Sequence, residues 1–469
     1  MWKRVLKHSY FRKRSFKTSQ IRKYNSSFSP QFEHFLNTQA NMNCSHLTTG
    51  LVVANEERES FNSCVGIFIN AGSRYELAQE NGVAHFFQHI CFKGTNKRPK
   101  NVLENEISGI GAKLKCFTNR ELVGFYAECL NEQVPQVVDI LTDCIFNNAY
   151  SSSDIEIQKC VVYQEMLKYD TDTYKVIMDY LHTGAFQGTS LSQSVMGPSY
   201  NLYNFSEQTI KSYVNKMFVP SKIILACAGG VKHDQLLGLA NTYVNKYDAA
   251  RCPSYSPYRF TDADIRYRDD SLEVGHIAMA FEAPPFQHED RLALELASAV
   301  VGAWDRSQAG GSNHAGYLAQ AAASGLANSF ESFYTTYKDT GLWGIHFVSP
   351  RMHIDDMINC ITHEWMNLCN CVTNAQLLKA KLAMKYKIIL LNQKAEDTCK
   401  DIAKWVHFTG CVSTMQEKFR AIDNISAEEV RRACQAYIYN SCPVVGAYGA
   451  IEQLYLSSRL MAGTYWLKV

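Results

Sequence analysis

Between residues 123 and 145 the chain changes its hydrophobic period. Val123-Gly-Phe-Tyr-Ala-Glu-Cys129 reads as a strand, and after a polar turn the apolar positions become Val134, Val137, Val138, Leu141 and Ile145. That is the i, i+3, i+4, i+7 spacing of an amphipathic helix. The same change recurs downstream, where Trp343-Gly-Ile-His-Phe-Val348 precedes apolar residues at Ile354, Met357, Ile358, Ile361 and Trp365. Each helical position lies 220 residues after its counterpart. The next helix extends the correspondence, with Ser153 as N-cap before Ile157 and Thr373 before Leu377. Strand, helix and cap kept in register predict an internal duplication.

Each predicted half opens on a strand, Val65-Gly-Ile-Phe-Ile in the first and His276-Ile-Ala-Met-Ala-Phe in the second. Each closes on strand-like material, Lys222-Ile-Ile-Leu-Ala-Cys-Ala-Gly-Gly and Pro443-Val-Val-Gly-Ala-Tyr-Gly. The expected fold class is α+β: two homologous halves, each an antiparallel-rich β-sheet with helices packed on one face. The halves are expected at 40–248 and 268–469. Residues 249–267 read as a linker, because they are polar, hold two prolines and show neither period. Gly310-Gly311 reads as a flexible loop.

Composition agrees with a folded chain. With 469 residues, 46% hydrophobic and 20% charged, it is core-forming, which excludes a disordered or collagen-like protein. No apolar run approaches the roughly 18 residues of a membrane-spanning helix. The 16 cysteines are spread along the chain, many inside apolar segments, and no CxxC pair occurs. They read as reduced, partly buried thiols rather than a disulfide framework or a zinc ribbon.

The formal net charge of +2 hides an asymmetry. Residues 1–32 carry nine cations, from Lys3 to Lys23, and no acid; the first is Glu33. An Arg-rich, Ser-bearing, acid-free N-terminus without an apolar h-region reads as a mitochondrial transit peptide, expected over residues 1–24. Nine cations removed from +2 leave −7 on the mature chain. A basic arm for nucleic acid is the competing reading of the run alone; on the transit-peptide reading no nucleic-acid partner is expected.

One cluster carries candidate chemistry. In Asn81-Gly-Val-Ala-His85-Phe-Phe-Gln88-His89 the two histidines are four apart, so on a helix their imidazoles share a face and could share a metal. By spacing alone, two packed or surface histidines are the better explanation of the pair.

The surrounding motifs resemble those of the inverted-motif zinc peptidases, of HxxEH type. They include Asn81-Gly-Val-Ala-His, Phe92-Lys-Gly-Thr, Thr118-Asn-Arg-Glu121, Tyr180-Leu-His-Thr-Gly-Ala-Phe-Gln-Gly-Thr189, Ala228-Gly-Gly-Val-Lys-His233 and Asp339-Thr-Gly-Leu-Trp-Gly-Ile345. The resemblance runs from about residue 40 to the C-terminus. It is nearest to the mitochondrial branch, which holds the beta subunit of the matrix processing peptidase and core protein one of respiratory complex III.

The resemblance implies zinc ligands at His85, His89 and a distal Glu165. It also implies a glutamate that takes the proton of the metal-bound water, and here that position is Gln88. An amide has no titratable oxygen near neutral pH, so it can hydrogen-bond a water but not deprotonate it. An acidic residue of active members corresponds to Gln158. The substrate-facing Asn-Ala-Tyr of active relatives reads Lys115-Cys116-Phe117. Offset by 220, Glu165 falls on Lys385, so no second metal site is expected.

Two functions follow from the resemblance. One is a non-catalytic core or assembly subunit of ubiquinol–cytochrome c reductase, on the matrix side of the inner membrane, a pseudo-peptidase paired with a homologous second core protein and other complex III subunits. The other is a zinc-dependent beta subunit of the processing peptidase, beside an alpha subunit, which cleaves or binds presequence peptides. Zinc is the one cofactor implied, and whether the chain holds it stays open.

Overall fold

The computed structural model describes residues 41–244, 258–308 and 316–466. The expected transit peptide, residues 249–257 of the expected linker and the Gly310-Gly311 loop lie outside them.

Two six-stranded sheets organise these residues. The first is built from β1 (Asn41–His46), β2 (Val52–Glu57), β3 (Asn62–Ile69), β4 (Lys113–Thr118), β5 (Val123–Leu130) and β6 (Ile223–Gly229), in spatial order β1-β2-β6-β3-β5-β4. The second uses β7 (Ile265–Arg268), β8 (Val274–Ala283), β9 (Ala303–Asp305), β10 (Ser329–Thr336), β11 (Gly341–Pro350) and β12 (Val444–Gly449), in order β7-β12-β8-β11-β10-β9. Five strands therefore correspond position by position, β2-β6-β3-β5-β4 with β7-β12-β8-β11-β10. Each sheet adds one further strand, at opposite edges. Pairing is antiparallel except β2 with β6 and β12 with β7. Residues 265–267, read as linker, begin β7, because alternating Ile265-Arg-Tyr-Arg pairs its main chain with β12.

The helices that concern the site are α1 (Val83–Ile90), α2 (Val134–Phe146), α3 (Ser152–Thr171), α4 (Thr173–Ala185), α5 (Glu207–Met217), α6 (Arg291–Val301), α7 (Ile354–Asn370), α8 (Asn374–Leu391), α9 (Ala395–Thr409) and α10 (Ala427–Tyr437). Helices α2 and α7 form where the 3.6 period places them, with Val134, Val137, Val138, Leu141 and Ile145 all buried.

The 220-residue register shifts locally. Helix α7 has 17 residues against 13 in α2, while the following connection shortens from residues 147–151 to residues 371–373. The net offset becomes 222 for α3 with α8 and for α4 with α9, then returns to 220 for α5 with α10. Burial confirms it, since Ile155, Gln158, Val162 and Met166 face inward as do Leu377, Ala380, Met384 and Ile388. The N-cap of α3 is accordingly Ser151, not Ser153, whereas Thr373 caps α8 in a capping box with Gln376. The counterpart of Glu165 is therefore Lys387 rather than Lys385.

Helices cover both faces of each sheet, not one. Along β3, Val65, Ile67 and Ile69 pack on the first half's own helices, and Cys64 and Phe68 point the other way. That second face is covered by Cys399, Ile402, Ala403 and Val406 of α9, a helix of the second half. Reciprocally, Ile177, Leu181 and Ala185 of α4 cover Ala278, Ala280 and Val444 of the second sheet. Strands apolar on both faces need a lid on each, and the duplicated halves supply it by exchanging helices. Each large aliphatic side chain so buried contributes roughly 1.5–3 kcal/mol.

Polar contacts join the halves where the β4–β5 and β10–β11 hairpins meet. The buried Arg74 guanidinium lies 2.7 Å from Glu121 and pairs in a fork with Asp339. Glu121 also accepts from the Lys338 N–H at 3.2 Å and lies 3.4 Å from His407. Burial works against ionising Glu121, but His407 and Arg74 outweigh it and hold its carboxyl below the usual range. His182, given no chemistry by sequence, is structural: it is buried and 2.6 Å from the Tyr337 hydroxyl across the same seam.

Candidate metal centre

Helix α1 carries both histidines, and its start is built around a buried carboxylate. Gly82, at φ 99°, turns the chain into the helix, and a Cβ there would meet the Met196 carbonyl at 2.5 Å. Glu76 caps the helix from outside it, one oxygen accepting from Gly82 N–H and the Asn81 amide at 2.8 Å, the other from Ala84 N–H at 2.7 Å. Burial pushes its pKa up to about 7 against those three donors. Val83, Phe86, Phe87 and Ile90 lock the helix to the core, leaving His85 and His89 on the face toward α3.

Glu165 reaches both imidazoles. Its Oε2 lies 2.9 Å from His89 Nε2 and 3.4 Å from His85 Nε2. Contact with His85, then His89, holds its carboxyl well below the carboxylate range. His85 is buried, while His89 and Glu165 are partly exposed, so the trio opens to solvent on one side. Neither Nε2 makes a hydrogen bond of acceptable geometry. Two orphaned ring nitrogens and a carboxylate converging within 4.8 Å fit a divalent metal, and this is the one such cluster among the described residues. Thus three residues named from sequence, 80 positions apart at the extremes, are brought together.

The other named residues divide. Gln88 lies on α1 between the histidines, and its Oε1 accepts from Thr118 Oγ1 of β4 at 2.9 Å. Cys116 is on the same side, with its thiol 3.9 Å from the Gln88 carbonyl and its pKa pushed up to about 11 by burial and then Glu165. Lys115 and Phe117 alternate onto the opposite face of β4, toward α9. There Lys115 pairs with Glu396, and Phe117 packs against Phe68 and Tyr126. The added cation is thus engaged across the halves rather than aimed at the metal ligands. Gln158 is buried on the inward face of α3, seven residues before Glu165.

Sequence reasoning missed Glu76, Thr118 as the partner of Gln88, and Glu396. Glu76 had no signal in the sequence, because Asn81-Gly82 are themselves acceptable residues at a helix start and hide the need for an outside carboxylate.

β4 is the last strand of its sheet, whereas its counterpart β10 is covered by β9. Among the described residues, the half with the metal trio is therefore the one whose strand there has no further strand beside it. Beside β4 a cavity of about 720 Å³ opens between the halves, lined by Phe117, Arg120, His182, Tyr337, Lys400 and Lys404 among others.

Comparison with known proteins places this arrangement. Residues 51–199 match the insulinase family model, peptidase family M16, and residues 204–384 match the model of the M16 inactive domain. The mitochondrial cytochrome b-c1 complex subunit 1 of Rattus norvegicus is 38% identical over 427 residues, covering 90% of this chain and 89% of that one. The mitochondrial-processing peptidase subunit beta of Homo sapiens is 37% identical over 426 residues, 90% of this chain and 87% of that one. In fold, a chain of complex III2 from Candida albicans, bound to Inz-5, superposes with a TM-score of 0.81 at 21% identity, over 91% of this chain and all of that one. Two domain models in tandem, and relatives this similar over nine-tenths of the length, establish that the chain belongs to the insulinase family of peptidases, M16.

Proposed function

We propose that the protein is a mitochondrial, non-catalytic core subunit of the ubiquinol–cytochrome c reductase assembly, a pseudo-peptidase that keeps the metal-binding trio without the base. The carrying observation is Gln88. It occupies the helix position between the two histidines, and its amide is tied to Thr118. It can orient a water but cannot accept its proton near neutral pH. Similarity to cytochrome b-c1 subunit 1 and the fold likeness to a complex III chain support the assembly role. A homologous second core protein is the partner this reading calls for, on the matrix side of the inner membrane. No helix among the described residues is long and apolar enough to cross a membrane.

Zinc is the metal we assign to the trio, held by His85 Nε2, His89 Nε2 and Glu165. Bound there it would polarise a water as a Lewis acid. The chain's own residues do the remaining work. Thr118 fixes the Gln88 amide, Glu76 caps the start of α1, and Cys116 closes the β4 side of the site with a neutral thiol.

The second reading is a processing-peptidase beta subunit that binds or cleaves presequences beside an alpha subunit. The convergent trio and the position of β4 as an edge strand among the described residues, where an extended peptide could pair, favour it. Native gels of mitochondria, probed for this chain, separate the two readings. Migration with complex III fractions supports the core-subunit reading, and absence from them rejects it. Chelator-sensitive cleavage of a fluorogenic presequence peptide by the unmodified chain, with its partner, would reject the pseudo-peptidase.

A further inference from the structure

Helix α8 is apolar on two sides. Leu377, Ala380, Met384 and Ile388 pack into the second half, while Leu378, Leu382, Tyr386 and Leu390 are 42–63% exposed. The exposed four stand at intervals of four and form one ridge about 18 Å long. The adjacent row is Ala375, Lys379, Ala383 and Lys387, all exposed, which makes a groove floored by two small residues and lined by two ammonium groups.

The helix holds four lysines and no acid. Lys385 is paired with Asp423 at 2.6 Å, and Lys381 donates to the carbonyls of Asp423 and Ile425. Lys379 and Lys387 have no ion pair among the described residues, so the charge beside the ridge is uncompensated.

The repeat supplies an internal control. Helix α3 packs inward with the same register, yet the positions matching the ridge are Glu156, Cys160, Gln164 and Lys168. At these four positions the first half has no apolar ridge, although α3 exposes Ile157 and Val161 one position along, so the ridge of α8 is particular to the second half.

We propose that the outer face of α8 docks an amphipathic helix of another protein chain, one whose apolar ridge is flanked by carboxylates. Interdigitating i±4 ridges suit a helix, and the two lysines select an acidic one. A lipid surface fits less well. The ridge runs obliquely round the helix, turning through about 120° from Leu378 to Leu390, so its side chains do not meet one plane, and the far side of α8 is fixed to the core.

The test places a benzoylphenylalanine photocrosslinker at Leu382 of the full chain expressed in mitochondria, with Glu156 as the control position. The expected result is an adduct from Leu382 only, mapping to a helical segment of a different polypeptide with Asp or Glu within one turn. Joint Lys379→Glu and Lys387→Glu substitution should lower its yield at least tenfold at an unchanged melting temperature, and joint Leu378→Ser and Leu390→Ser substitution should do likewise. An adduct with phospholipid, with a second copy, with this chain itself or with a helix lacking carboxylates overturns the proposal. So does no adduct, or a yield indifferent to the charge reversal.

Discussion

Thr118 donates a hydrogen bond to the Gln88 amide, Oγ1 to Oε1 at 2.9 Å, and so fixes from β4 the side chain that directly precedes His89 on α1. A carboxylate of the same length would keep that bond. Gln88→Glu is therefore expected to gain chelator-sensitive cleavage of a presequence peptide, about 10²–10⁴-fold over the unmodified chain, the usual contribution of a positioned base. Full metal content with no gain would show that more than the base has been lost.

Metal removal should be visible without any activity. The unmodified chain is expected to hold one zinc ion, measured by plasma mass spectrometry after gel filtration, and His89→Ala to hold almost none. Zinc at about 100 times its dissociation constant should raise stability by about 2.7 kcal/mol, a gain that chelator reverses and His89→Ala abolishes. Equal zinc binding by the variant would refute the assigned ligands.

Glu121 joins three groups across the seam: Arg74, the Lys338 N–H and His407. Glu121→Ala leaves the buried Arg74 charge undercompensated and should cost about 3–5 kcal/mol in urea unfolding. An apolar replacement of both partners, Arg74→Met with Glu121→Leu, should recover part of that loss. If the single variant unfolds like the unmodified chain, the seam is held by packing alone.

Glu76 gives the stability a pH dependence of definite sign. Its folded pKa of about 7 lies above the ordinary 4.5, so the folded state holds the proton more tightly than the unfolded chain. The associated stability, on the order of 3 kcal/mol, is complete below pH 4.5 and is lost as pH rises through 7. Glu76→Gln should flatten the urea-derived stability curve across that window. An unchanged slope would mean the group titrates normally.

Much of this was legible because it is local. The 3.6 period of residues 134–145 and 354–365 follows from one helix face meeting a core, so α2 and α7 could be placed without coordinates. His85 and His89 lie one turn apart on a single helix, and their shared face follows from that geometry alone. Glu165 was different. It lies on α3, and only family resemblance pointed to it; nothing in its own neighbourhood marks it.

What the tertiary structure decided concerns partners distant in sequence. The continuous apolar run from Cys64 to Ile69 is compatible with burial on both faces of β3, but nothing in it says that α9 of the other half covers the second one. Any amphipathic helix of suitable width satisfies the pattern, and only the packed geometry selects among them. Lys115 illustrates the same limit, since Glu396 is 281 residues away and the strand pattern says only that 115 and 116 point oppositely. The offset of 220 likewise gives way to 222 where four residues are added to a helix and two are lost from the turn after it. Periodicity is blind to such a compensated change, because each helix keeps its own phase. The sequence by itself determined the duplicated plan and the chemistry available at His85, Gln88 and His89. The fold decided which residues face one another, because contact depends on the packing of whole elements rather than on spacing along the chain.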